Sequence, residues 1–113
     1  MTTGGVHLPD QARFHIDDPA GDCSYREIPT DATKLTWTHA YYRPDEGTDL
    51  DAVFPLWTLR ALVNEGVVGE LGPRHFSFMG AIHDPIPLVG ETAPEVAGKL
   101  MEDGVDAVLL TPS

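Results

Sequence analysis

The stretch "ETAPEVAGKLMEDGVDAVLLTPS" (residues 91–113) gives the strongest indication of fold in this chain. Its apolar residues, including Val96 and Leu100, recur at helical spacing and predict an amphipathic helix over 91–103. Thr92 and Glu95 fit a capping box at its start. The apolar run that follows Gly104, over 105–110, predicts a strand buried on both faces. A helix, a short turn and a buried strand form the second half of a β–α–β unit.

The rest of the chain offers one more helix and short strands. "FPLWTLRALVNEG" (54–66) predicts a helix, "LTWTH" (35–39) alternates like a half-buried strand, and a short strand is expected near 75–79. We therefore expect an α/β fold with a layered, mostly parallel sheet, flanking helices and an incomplete doubly wound arrangement. Residues 1–113 form a single domain by length. Because both ends resemble strand exits, we expect this domain to be truncated.

Composition narrows the range of partners and compartments. The chain has 18 acidic against 7 basic residues and a net charge of -11, so neither nucleic acid nor an anionic membrane surface is an expected partner. It contains one cysteine, which excludes an internal disulfide. The first residues lack the pattern of a signal peptide, and no apolar run is long enough for a membrane span. A cytoplasmic location is the expectation.

Histidines and their polar neighbours supply the candidate site residues. "PRHFSFMG" places His75, a candidate proton donor, beside Arg74, which can clamp a carboxylate, and Ser77. His7 follows a glycine pair at a predicted strand exit, and His39 ends the alternating strand. Alternatives stay open: His7 as a solvated loop histidine, His39 as a hydrogen-bonded structural residue, and His75 as a structural residue. The spacing of the histidines fits no metal-binding motif, so no metal is expected.

The end of the chain adds two candidate ligand contacts. Ligands of open α/β sheets bind in the crevice outside the carboxyl ends of the strands. Thr111 and Ser113 directly follow the predicted last strand. We therefore expect them to bind substrate, in a crevice that the glycine turn near His7 and the segment around His75 also line.

Long stretches of the chain match a known family. They are "TTGGVHL" (2–8), "GDCSYREIP" (21–29), "VFPLWTLRALVNEGVVGELGPRHFSFMG" (53–80) and "ETAPEVAGKLMEDGVDAVLLTPS" (91–113). With them the chain resembles the selenoprotein B family of the glycine, sarcosine, betaine and D-proline reductases.

The resemblance implies a function. Family members carry selenocysteine, or cysteine in its place, just after the last strand, so Ser113 would precede a UGA codon. The expected function is reductive cleavage of a C–N bond in an amino acid or amine by that selenolate or thiolate. Other reductase subunits are the implied partners, one of them carrying a pyruvoyl group, and the chain itself would hold no cofactor. A homo-oligomer, a non-catalytic acidic binding domain and one half of a split two-chain enzyme remain alternatives.

Overall fold

The computed structural model describes residues 1–39 and 49–112. Its regular elements in chain order are β1 (Val6–His7), β2 (Tyr25–Pro29), β3 (Thr36–Trp37), a 3₁₀ turn (Leu50–Ala52), α1 (Leu56–Asn64), β4 (Arg74–Phe78), a π-helical turn (Leu88–Thr92) and α2 (Ala93–Glu102). None of the helices within these residues is long and apolar enough to cross a bilayer.

The strands form two small antiparallel sheets. β2 pairs with β4, in a register that runs from Tyr25 opposite Phe78 to Pro29 opposite Arg74. β1 pairs with β3, with Val6 opposite Trp37. The predicted fold class, a layered and mostly parallel sheet with an incomplete doubly wound arrangement, is therefore wrong.

The predicted buried strand over 105–110 is also wrong. Within the described residues, parallel pairing occurs as isolated bridges, from Thr2 to Ser77 on one side and from Thr2 to Thr111 on the other. Residues 1–3 are the segment that pairs with 109–111, and the glycine pair that follows turns the chain away. Because the described residues place no second long strand beside it, the apolar run over 105–110 lies at an open edge. Leu109 and Leu110 are 53% and 59% exposed there.

Two apolar clusters lie on opposite faces of the β2–β4 sheet. Alternate residues of a strand point to opposite faces. Phe76 and Phe78 of β4 pack with Val96 of α2. Ile28 of β2 belongs to the other cluster, whose remaining buried members are Val6, Ala32, Trp37, Phe54 and Leu56. β4 therefore has one face toward α2 and a second face toward the start of α1.

Side-chain contacts hold helix α2 against the β2–β4 sheet, and they differ from the predicted capping box. Thr92 makes no capping bond, because its backbone is already helical (φ −74°, ψ −36°) at the end of the π-helical turn. Its hydroxyl donates instead to the Cys23 carbonyl at 2.8 Å, and Glu95 accepts from the Tyr25 hydroxyl at 2.8 Å. Lys99 donates to Glu27 at 2.5 Å. The predicted capping box is therefore wrong, although the helix forms.

Candidate functional site

The alternation of β4 separates the candidate residues of "PRHFSFMG". Arg74 lies on the α2 face, where its guanidinium binds Asp103 through two nitrogens at 2.9 and 3.2 Å. Glu27 lies 3.4 Å and Glu102 3.5 Å from the same guanidinium. The carboxylates of the protein thus occupy the group that was expected to clamp a substrate carboxylate, and that role stays a prediction.

His75 lies on the other face of β4, half-buried beneath the start of α1. Its Nε2 is 2.8 Å from the Thr30 hydroxyl, and its ring meets Phe54 edge to face at 6.0 Å between centroids. Burial lowers the pKa of His75, and the positive charges of the amino terminus and of Arg60 lower it further. His75 is therefore neutral at pH 7. It can accept a proton there, and it must gain one before it can protonate a leaving amine.

A small cavity of about 20 Å³ connects His75 with Thr111. Its other lining residues are Met1, Phe54, Pro55, Leu56, Leu59 and Leu109. This volume admits about one water molecule. The structure thus brings two of the predicted site residues, one catalytic and one substrate-binding, to the same concave spot.

Ser77 lies on the same face of β4 as His75 but deeper. Its side chain is fully buried, and its hydroxyl has no hydrogen-bond partner among the described residues. Thr2 lies between Ser77 and Thr111, and its own hydroxyl is 3.1 Å from the Thr111 carbonyl, to which it can donate. Ser77, Thr2 and Thr111 therefore form a row across three adjacent segments, and a contact of Ser77 with substrate stays a prediction.

His7 and His39 lie at the other sheet. His7 is buried on β1, where Nδ1 donates to the Leu8 carbonyl at 2.8 Å and Nε2 is 2.9 Å from the Thr38 hydroxyl. The His39 ring lies 5.3 Å from the ring of Trp37. The burial and contacts of His7 differ from those of the solvated loop histidine that was its alternative, whereas the contacts of His75 leave one ring nitrogen for chemistry. Catalytic roles for His7 and His39 stay predictions.

Three segments run parallel to one another, although the open α/β sheet on which the predicted crevice depended is not found among the described residues. Parallel bridges at Thr2 align residues 1–3 with β4 on one side and with 109–111 on the other. The Thr3 amide donates to the Thr111 carbonyl at 3.2 Å, and the Gly5 amide donates to the Phe78 carbonyl at 2.9 Å. Ser113, the last predicted substrate-binding residue, lies outside the described residues.

Sequence reasoning missed three residues of this site: Thr2, Thr30 and Arg60. Arg60 on α1 donates to the carbonyls of Thr30, at 2.7 Å, and Ala32, at 2.6 Å. No local pattern indicates these contacts, because Thr30 lies 45 positions from His75. In residues 1–39 and 49–112, no cluster of three or more His, Cys, Asp and Glu side chains is arranged to hold a metal ion.

A larger groove of about 280 Å³ lies on the α2 side and was also missed. It runs between α2 and the end of β4, and its lining is almost wholly apolar: Met1, Thr3, Phe78, Met79, Ile82, Leu88, Ala93, Val96, Ala97 and Leu100. Among the described residues no titratable side chain lines it, so this groove offers shape and apolar surface, whereas the His75 cavity offers proton chemistry.

The chain is similar to subunits of two reductases. It is 40% identical over 98% of its length to D-proline reductase subunit gamma of Acetoanaerobium sticklandii. It is 32% identical, again over 98% of its length, to glycine reductase complex component B subunit gamma of Peptoclostridium acidaminophilum. The chain spans 46% of the first relative and 26% of the second.

Both relatives are named as reductase subunits, and the chain corresponds to less than half of each of them. No family model matches the sequence. No solved structure matches it either.

Proposed function

We propose that the chain is the amino-terminal part of a selenoprotein B-like reductase subunit. The subunit cleaves a C–N bond of an amino acid or amine reductively, through a selenolate or thiolate just past Ser113. The observation that carries the proposal is similarity over 98% of the chain to two subunits named for D-proline and glycine reductases. Thr111, near the end of the chain, lines the same cavity as His75.

The nucleophile attacks the carbon that bears nitrogen. A C–Se or C–S bond forms while the C–N bond breaks, and the nitrogen leaves with the bonding electron pair and takes up a proton. A selenol is already ionised at pH 7, whereas a thiol of pKa about 8.5 needs a base. Neutral His75 suits that need, because it can take the thiol proton and return it to the leaving nitrogen.

The cycle needs two electrons, which an external dithiol supplies by reducing the C–Se or C–S adduct and becoming a disulfide. The partners in this proposal are other reductase subunits. A pyruvoyl group on one of them would activate the amine, and no residue of this chain is assigned to hold it.

The nucleotide sequence beyond codon 113 and the longer product test the proposal. We expect a UGA codon followed by a frame related to the rest of the D-proline reductase subunit. The extended protein, with its partner subunits and a dithiol, should cleave one of D-proline, glycine, sarcosine or betaine. Replacing the selenocysteine or cysteine with serine should abolish that activity. A different stop codon with no related frame would refute the proposal, as would full activity of the serine variant.

A split two-chain enzyme is a second candidate. The exposed apolar residues Val108, Leu109 and Leu110 favour it, because an open apolar edge is a template for pairing with another polypeptide. Copurification from the source organism, followed by mass spectrometry, separates the two candidates. The split enzyme predicts that a separately encoded chain, related to the remainder of the relatives, copurifies with this one. The first candidate predicts a single longer read-through product.

A further inference from the structure

We propose that Thr30 is a positioning residue that fixes His75 with its proton on Nε2 and its lone pair on Nδ1. Nδ1 is then the atom that exchanges protons at the cavity shared with Thr111. The role of this proton exchange in a reductase rests on the proposed function, whereas the protonation of the two His75 nitrogens can be measured in this chain by itself.

The two hydrogen bonds of the Thr30 hydroxyl determine which partner is the donor in its contact with His75. The hydroxyl has a single hydrogen, and it contacts both the Gly72 carbonyl oxygen and Nε2 of His75. A carbonyl oxygen only accepts, so the hydroxyl hydrogen goes to Gly72. The 2.8 Å contact to Nε2 then requires that Nε2 carries a hydrogen and donates it to Thr30. In the neutral ring this leaves Nδ1 as the unprotonated nitrogen.

Thr30 is well placed for this role because its backbone is held on two sides. Its amide donates to the Pro73 carbonyl at 3.1 Å, next to the start of β4. Its carbonyl accepts from Arg60 on α1 at 2.7 Å. The β2–β4 sheet and α1 thus meet at Thr30, and the hydroxyl has little freedom to move away from His75.

Nδ1 is available for proton transfer. No hydrogen bond to it is found within the described residues, and it is absent from the fully buried polar atoms that lack partners there. The charged groups that act on the ring are the ammonium group of Met1 and the guanidinium of Arg60, both cationic, while Phe54 contributes an apolar edge. Burial disfavours the imidazolium most and the two cationic groups disfavour it further, so Nδ1 holds a free lone pair at neutral pH.

Whether Thr30 accepts or donates in its hydrogen bond with Nε2 determines the direction in which Thr30→Val shifts the pH titration of His75. If Thr30 accepts from Nε2, its bond stabilises the imidazolium more than the neutral ring, and its loss moves the His75 titration to lower pH. If Thr30 donates to Nε2, the bond exists only with the neutral ring, and its loss moves the titration to higher pH. Thr30→Ser keeps the hydroxyl and should retain the wild-type titration.

The measurement is a pH titration of ¹⁵N-labelled histidine in the 113-residue chain by NMR, with the same chain carrying His75→Gln to assign the resonance. In the wild-type chain above the His75 transition we expect the Nε2-protonated form. A predominantly Nδ1-protonated form overturns the proposal even if Thr30→Val fails to fold, and so does a titration of Thr30→Val at higher pH than wild type. Because the experiment uses no substrate, it can succeed or fail independently of the reductase proposal.

Discussion

Gly5 joins the two sheets, and replacing it with alanine should be among the most costly small changes in the chain. Its amide donates to the Phe78 carbonyl at 2.9 Å, and its carbonyl accepts from the Thr38 amide at 2.9 Å. Its φ of +66° lies in the left-handed region, and a Cβ atom would lie 2.3 Å from the Thr38 carbonyl oxygen and 2.6 Å from Sδ of Met79. The Met79 side chain can move away, but the Thr38 backbone can do so only by disturbing the junction.

The expected cost has two parts. Left-handed backbone costs a non-glycine residue about 1–2 kcal/mol. Displacing the Thr38 backbone weakens a buried hydrogen bond, at about 1–3 kcal/mol. Gly5→Ala should therefore lower the free energy of unfolding by about 2–5 kcal/mol, a large share of the total of about 5–15 kcal/mol for a typical domain.

Urea unfolding followed by tryptophan fluorescence measures this difference, and Gly66→Ala is the matched control. Gly66 has a φ of +77°, but no heavy atom lies within 4 Å of the place that an alanine Cβ would take there. It should therefore show the backbone cost alone, about 1–2 kcal/mol. Equal losses for Gly5→Ala and Gly66→Ala would refute the argument that close approach to Thr38 makes glycine necessary.

Three further changes test other parts of the molecule. The hydrogen bond from Lys99 lowers the pKa of Glu27. The ion pair therefore stabilises the fold above the unfolded-state pKa of about 4.3, and this stabilisation is lost as the pH falls through the folded-state pKa. Glu27→Gln should thus be less stable than wild type in urea at pH 7, and the difference should shrink in acid. Gly98→Ala lies inside α2 with open space around it and should raise the free energy of unfolding by about 1 kcal/mol, whereas a loss would mean a packing contact there. Ser77→Ala removes a buried hydroxyl that has no partner among the described residues and should leave thermal stability unchanged or raise it by about 1 kcal/mol; a clear drop in melting temperature would reveal a hydrogen bond to Ser77.

The sequence by itself determined the local elements. The 3.6-residue spacing of apolar residues placed α1 within 54–66 and α2 within 91–103, and a short strand was expected where β4 lies. Gly66 and Gly104, which follow the ends of α1 and α2, have φ of +77° and +67°, the left-handed backbone that glycine favours. These features depend on neighbours a few residues apart, which is why a single sequence reveals them. The resemblance to reductases could also be found from the sequence, because it rests on long matching stretches and does not depend on how the chain folds.

Only the tertiary structure decided how the strands pair and what each site residue touches. An apolar run such as 105–110 is compatible with a buried parallel strand, but burial requires neighbours, and here Thr2 provides one bridge to the segment that ends the run. Arg74 and His75 are adjacent in sequence, yet the alternation of β4 sends one to Asp103 and the other to Thr30. Partners 29 and 45 positions away are set by packing of the whole chain, so local spacing could not predict them.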